Sequence, residues 1–549
     1  MTQRPVAAAL LSLAALACTR ASDGPAPGVL VVSVDKQSAW VRNFNPLAAG
    51  GGARWPTTGG IYEPMLVFNS VKGEYVPWLA TGYTWHPGAT GLTFTIRRGV
   101  RWSDGAPMTA ADVAFTFDFL RRYPALDSGG TWKRLDRVTL DDAEHVTFHL
   151  RTPHVPALHG LALTPIVPEH VFGRLADPLT FTNPEPVATG PFTEVRVFKN
   201  QVFELGRNPH YWGGLPAVTA IRQPAFPGND AANLALINGE VDWAGDFVPA
   251  VERTFVGRDP AHFHSWAPPV GAMVFLYANT TRPPFDDPRV RRALSLAIDR
   301  ERVVEVGMYG YTRPANTVAF SARYDRWRDA TLDDSPESFV GHDPTTAAAL
   351  LDAAGLRAGP DGRRLGRDGQ PLTYTIDVVG GWSDWVRSAQ VIARDLTALG
   401  IQTTLRTFEF GAWSERVQKG EFDLSVGWSD EGPTPYDFYF WLMNPESVAP
   451  VGKASPGNWH RFGDPESLAL FEAFRTETDP QAQQRIVHAL QRRFVATVPA
   501  IPLFPNPSWG TCSTRRFTGF PSELDPYARL SPFAQPESLL VLTRLRPVP

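Results

Sequence analysis

The chain has 549 residues, more than one hydrophobic core holds, so two or three lobes are expected. Its 43% hydrophobic and 20% charged residues are those of a globular protein, and a net charge of −4 with scattered Lys and Arg argues against nucleic acid as a partner. Pro 51 and Gly 46 imply many turns and long ordered connections, while 17 Trp exceed what a core alone needs and suit a cleft that binds by stacking.

Residues 1–17 read as a signal peptide: Arg4 gives the positive start, Val6 to Ala17 a short, mostly apolar run, and Ala15-Leu16-Ala17 an A-x-A-like cleavage site. That run is too short for a permanent membrane span, so export is expected. Cys18 directly after the small residue resembles a lipobox, which makes it the lipidation site of a membrane-anchored form. Ordinary cleavage at Ala17, leaving a soluble periplasmic protein, is the alternative. Residues 18–27 form a flexible leader, and Cys512 is then a lone, buried thiol.

Val29–Val34 (VLVVSV) is β-branched and predicts a first buried strand. The Gly-rich stretch from Ala48 to Gly60 lacks the Lys-Ser/Thr of a phosphate loop, and Trp55 within it is a candidate cleft residue or a core residue. Leu92–Arg97 alternates as a half-buried strand, and Ser103-Asp104-Gly105 is a turn. Thr109 with Asp112 predicts a capping box opening a helix whose stripe is Val113, Phe117 and Leu120. Val146–Leu150 and Gln201–Leu205 read as strands, and Asn233–Val241 as a helix ending near Gly239. Met273–Asn279 reads as a buried strand, and Asp287-Pro288 as the capped start of a helix.

Further on, LTYTIDVV, the loop GGWSDW, a helix over Val386–Leu399 and IQTTLRTF make a βαβ pattern, for which a parallel sheet is expected. Ser383 or Asp384 is the expected helix cap. Ile486–Val495 predicts an amphipathic helix and Ile501–Phe504 a strand.

His145 and His149 are spaced like HxxxH but lie on an alternating strand without the Glu of a zinc helix, so no metal is assigned. No G-x-S-x-G, Walker loop, C-x-x-C or H-E-x-x-H occurs, so no catalytic residue is assigned and the chain is read as a non-enzyme.

FTIRRGVRWSDGAPMTAADVAFTF, VATGPFTEVRVFKNQVFELGRNPHYWGG, INGEVDWAG and DPRVRRALSLAIDRERVV occur in this order. Together they resemble the hallmark segments of the bacterial extracytoplasmic solute-binding proteins of family 5, receptors of ABC importers for peptides, oligopeptides or nickel, with an oligosaccharide-binding branch. The resemblance covers nearly the whole mature chain. It implies an α/β fold of the periplasmic binding protein type II kind, two main lobes with a hinge plus an inserted domain. The divisions expected are lobe I over 28–58, 184–270 and 500–549, inserted lobe II over 59–183, and lobe III over 271–499. It also implies ligand capture between lobes I and III, hinge closure, delivery to the permease subunits, no cofactor, and a monomer at the outer face of the cytoplasmic membrane. An exported hydrolase and a sensing receptor without transport are the competing readings.

Trp428, Asp430, Glu431 and Tyr436 follow the strand Phe422–Val426, at a carboxyl end where α/β lobes place ligand contacts. Peptide-binding relatives carry an Asp three places after this Trp that meets the peptide ammonium. Here Asp430 comes two places after Trp428, Glu431 holds the third place, and Gly-Pro-Thr-Pro replaces the usual aromatic. Either carboxylate remains a candidate for an ammonium. The Gly-Pro-Thr-Pro-Tyr wording instead resembles the branch that binds β-linked oligosaccharides, where rings stack on Trp and Tyr and carboxylates take hydroxyls. A core role for Trp428 and a turn cap at Asp430 are the plainer readings. Trp382 and Trp385 are candidates for cleft or core, and Trp413 is a weaker one.

Overall fold

A computed structural model describes residues 26–34, 36–48, 55–268, 270–333 and 335–549. The expected signal peptide, Cys18 and most of the expected leader lie outside the described residues.

The β-branched Val29–Ser33 is buried along its length and lies inside a seven-stranded sheet, parallel to Ala220–Pro224 on one side and Trp243–Ala244 on the other. The sheet is completed by Val202–Arg207 and Phe192–Lys199 on one flank, and by Thr511–Ser513 and Phe263–Ser265 on the other. Three distant chain segments thus build lobe I. Asp242 ties them together: its carboxylate accepts Val31 N at 2.8 Å and Arg516 Nε at 2.8 Å.

The inserted lobe II carries a four-stranded antiparallel sheet of Ala80–Trp85, Gly91–Ile96, His145–Leu150 and Leu135–Leu140, with the helix Ala110–Arg122 against it. The capping box forms as its spacing predicts. Ala111 N donates to Thr109 Oγ1 at 3.2 Å and Thr109 N to Asp112 Oδ2 at 3.0 Å, while Val113, Phe117 and Leu120 are buried. Lobe II is locked to lobe I by buried Glu63, whose carboxylate accepts Trp78 Nε1, Tyr211 Oη and Trp212 Nε1 at 2.7, 3.2 and 3.0 Å. The turn word that ends in Tyr211-Trp212 is therefore a fastening between lobes.

Lobe III is a five-stranded sheet in the order Gln402–Phe408, Thr373–Val379, Leu424–Trp428, Met273–Ala278, Ile501–Pro505. The βαβ pattern gives the expected parallel pair, joined through the helix Ser383–Ala398. One boundary needs correction. Ile501–Pro505 pairs with Met273–Ala278, so it belongs to the lobe III sheet and not to lobe I. All five of its residues are buried, and the backbone partners of so apolar a run lie in lobe III's core. The chain re-enters lobe I only at Thr511–Ser513.

The two crossings between lobes I and III run side by side. Trp266 N donates to Gly510 O at 2.9 Å and Asn506 N to Ala272 O at 2.7 Å. At Gly271 a Cβ would sit 2.3 Å from Asn506 O, so only glycine lets the two chains approach this closely.

Candidate functional site

The strand Leu424–Trp428 ends beside the hinge. Its last residue, Trp428, is half-buried within a cluster of aromatic rings. Trp413 and Trp459 each lie 5.1 Å away between ring centroids, Trp382 6.1 Å, Trp385 6.2 Å and Phe410 6.4 Å. Trp413, Trp459 and Trp385 are buried and form the floor, whereas Trp428, Trp382 and Phe410 keep part of their rings exposed. A partly exposed ring held by buried neighbours is a rigid stacking surface, because no rotamer freedom is left to lose.

The loop after Trp428 is pinned to three elements. Ser429 Oγ accepts Met273 N at 3.1 Å, and Glu431 Oε1 accepts Ala272 N at 3.0 Å beside the crossing segments. Glu431 Oε2 accepts Arg529 Nη1 of lobe I at 2.8 Å, and Arg529 Nε in turn donates to Glu537 at 2.9 Å. Ser70 of lobe II donates to the same Glu537 oxygen at 2.6 Å. Arg323 donates to the carbonyl of Glu431, and Tyr324 Oη to that of Gly432 at 2.6 Å. Burial opposes ionisation of Glu431, but Arg529 and then Arg323 outweigh it and hold the carboxyl below its usual range.

Glu431 is thus committed to the protein, and only Asp430 of the two adjacent carboxylates is free. Asp430 is solvent-exposed and makes no ion pair among the described residues; its Oδ1 accepts only the next backbone N–H, at 2.7 Å. Yet protein crowds around it, and this desolvation raises its carboxyl, with Glu431 adding to the rise. Asp437 lies close enough to interact with it. Its carboxyl is pushed up to about 8, first by burial and then by Asp430. Asp437 therefore holds its proton at neutral pH and is a donor in the same loop as the acceptor Asp430.

Three of the sequence candidates sit in packing positions. Tyr436 is buried between Phe440 and Phe474, with Phe471 at its edge, and its hydroxyl accepts Arg475 Nε at 2.8 Å. Trp55 is buried in lobe I against Trp243, its Nε1 donating to Pro532 O at 2.8 Å. Trp385 is buried edge-on to Trp382. The helix cap also differs from expectation: Trp382 stands at the N-cap without a side-chain bond, and Asp384 faces lobe I instead. There Asn229 Nδ2 donates to Asp384 Oδ1 at 3.3 Å, and Asn229 N to Gly381 O at 3.0 Å, so lobes I and III touch. Burial pushes Asp384 up to about 6, although the helix N–H groups draw it down.

Arg323, Asp437, Arg529 and Phe410 were not singled out by sequence reasoning. Arg529 and Arg323 lie in irregular segments with no periodicity to mark them, and only the loop's unpaired carboxylates hint that cations must meet them.

Among the described residues no helix is long and apolar enough to cross a membrane, and no three His, Cys, Asp or Glu side chains are grouped to hold a metal.

Two α/β lobes joined by paired crossings, with a third lobe inserted and an aromatic, acidic loop at the joint, define a hinged solute receptor. The chain belongs to the bacterial extracellular solute-binding proteins, family 5, whose middle segment matches residues 74–449. It is 27% identical to di/tripeptide-binding protein 2 of Pseudomonas aeruginosa over 474 residues, 81% of this chain and 83% of that one. It is 28% identical to the nickel-binding periplasmic protein of Escherichia coli over 403 residues, 70% of this chain and 72% of that protein. Its structure is similar to that of a mannohexaose-bound periplasmic oligopeptide-binding protein of Thermotoga maritima. There the TM-score is 0.88 at 26% identity, covering 95% of this chain and 99% of the other.

Proposed function

We propose that this chain is the extracytoplasmic solute-binding component of an ABC importer, and that it closes on an oligomeric solute at the Trp428–Asp437 loop. Ligand contact with both lobes would shift the population toward the closed form, which docks on the permease. The chain acts as a monomer, uses no cofactor, performs no catalysis, and is held to the outer face of the membrane through a lipid on Cys18.

The ligand we favour is a short β-linked oligosaccharide. The observation that carries this is the partly exposed ring set of Trp428, Trp382 and Phe410, backed by buried Trp413 and Trp459, with the carboxylate of Asp430 and the protonated Asp437 in the same loop. Sugar faces stack on such rings, and hydroxyls need acceptors and donors side by side. The mannohexaose-bound Thermotoga structure supports this reading. An oligopeptide is the second reading, favoured by the unpaired carboxylate of Asp430 and by the Pseudomonas relative.

Thermal-shift titration with mannose- and glucose-based β-linked oligosaccharides, and with di- to pentapeptides, tests the two. A native-state ligand at a hundred times its dissociation constant adds about 2.7 kcal/mol, a shift that is easily read. A rise with sugars alone supports stacking on Trp428, and a rise with peptides alone gives Asp430 the ammonium. Product formation from a bound compound would replace the receptor by an enzyme.

A further inference from the structure

A second recess lies behind this loop, between lobes II and III, and two of its wall residues touch Tyr436: His154 packs edge-on to the ring and Arg475 bonds the hydroxyl. It encloses about 680 Å³ and shares no lining residue with the stretch Trp428–Asp437. Lobe II lines it with Lys133, Arg134, Arg151 and His154, and lobe III with Phe440 and Arg475. The lobes are tied at its edge, where Val155 N donates to Arg475 O at 2.8 Å.

Its positive charge is only partly compensated, by the single long contact of Arg475 with Glu446. Lys133, Arg134 and Arg151 form no ion pair among the described residues. The two carboxylates on the wall do little for them. Asp127 is spent on the backbone N–H groups of Thr131 and Trp132 at 2.8 and 2.9 Å, and Glu446 stands 3.8 Å from Arg475 with its side chain mostly in solvent. The guanidinium groups of Arg134 and Arg475 nevertheless converge on one ring, 5.8 and 5.3 Å from the centroid of Phe440. Like charges gathered in a partly enclosed space repel unless an anion sits among them.

His154 is an independent sign. It is 3% exposed, and its Nε2 is buried without a hydrogen-bond partner on the recess wall. A buried polar nitrogen left unmet costs on the order of 1–3 kcal/mol. Burial, and then Arg134 and Arg475, draw its pKa down to about 3, so the ring is neutral and offers one N–H.

We infer that this recess binds a small dianion, a phosphate ester or a dicarboxylate, whose oxygens meet Arg134, Arg151 and Arg475 and accept a hydrogen bond from His154. The recess adjoins the proposed solute loop through Tyr436 but shares no lining residue with it, so anion binding and solute binding are measured separately.

The test is isothermal titration calorimetry of the purified protein with phenyl phosphate and, separately, succinate, at matched ionic strength. Saturable binding of either is expected, with affinity lowered about tenfold or more by Arg134→Gln and again by Arg151→Gln. Lys199→Gln, an exposed cation on lobe I, should leave it unchanged. Far-UV circular dichroism and the Tm of each variant establish that it is folded. Absence of saturable binding by both anions overturns the inference, as does binding that survives the double Arg substitution or falls equally in Lys199→Gln. Joint loss of sugar or peptide binding in Arg134→Gln would also overturn it, by making the recess part of the solute cleft.

Discussion

Glu431 and Arg529, 98 residues apart, form a 2.8 Å ion pair that joins the Trp428–Asp437 loop of lobe III to the tail segment of lobe I. The same arginine meets Glu537, whose other partner is Ser70 of lobe II, so one charge network touches all three lobes. Its position beside the crossing segments makes it a fixed pivot. Removing the arginine leaves buried Glu537 without a cation, and Glu431 with only its 3.8 Å contact to Arg323. Arg529→Met is therefore expected to cost about 3 kcal/mol, read by denaturant unfolding. A loss below about 1 kcal/mol would mean that the pair is as weakly coupled as a surface ion pair.

Trp428→Ala should weaken solute binding and lower the Tm as well, because the ring is both a ledge and a neighbour of buried Trp413 and Trp459. Trp428→Phe should recover most of the Tm. Unchanged affinity in the alanine variant would remove this loop from the site.

Asp437 gives a pH signature. Its carboxyl titrates at about 8 when folded, against roughly 3.9 in an unfolded chain. Between these values the folded protein holds a proton that the unfolded chain has released, so this group makes stability fall as pH rises. Its contribution is whole below about pH 4 and is lost as pH climbs through about 8. The drop in urea midpoint from acidic to mildly alkaline pH should shrink in Asp437→Asn. An equal drop in both proteins would locate the proton elsewhere.

Lobes I and III touch where Asn229 meets Gly381. A Cβ at Gly381 would lie 2.8 Å from the carbonyl of Pro227, a backbone atom that cannot swing aside. Gly381→Val is expected to part the lobes, raise the radius of gyration in small-angle scattering and weaken solute affinity. An unaltered scattering curve would show that the contact does not hold the lobes together.

Cys18→Ser should move the protein from the membrane fraction to the soluble periplasmic fraction. Undiminished membrane partitioning would refute the lipid anchor.

Much of the scaffold was readable because it rests on local chemistry. The Thr109–Asp112 box, the stripe of Val113, Phe117 and Leu120, and the βαβ run from Thr373 to Phe408 depend on neighbours a few residues away. Ile501–Pro505 was misplaced because a short apolar run fits any buried sheet, and pairing with Met273–Ala278 is a long-range choice. The site divides along the same line. Trp428 and Asp430 stood out from their place after a strand, but the pairing of Glu431 depends on an arginine far along the chain. Tyr436 and Trp55 look like cleft aromatics in sequence because an aromatic beside a turn carries no mark of which way it points.

Asp242 also sets an order of assembly. Lobes II and III are closed within continuous or nearly continuous stretches, whereas the lobe I sheet needs Val32, Trp243 and Cys512 side by side. Until the last tenth of the polypeptide has emerged, the Asp242 carboxylate lacks Arg516 and the central strand lacks part of its flank. Lobe I is thus the final piece to consolidate, and a chain in transit across the cytoplasmic membrane keeps its ends apart until translocation is complete. A stop codon after Pro505 would leave lobes II and III complete beside an unfinished lobe I, a ready substrate for quality-control proteases.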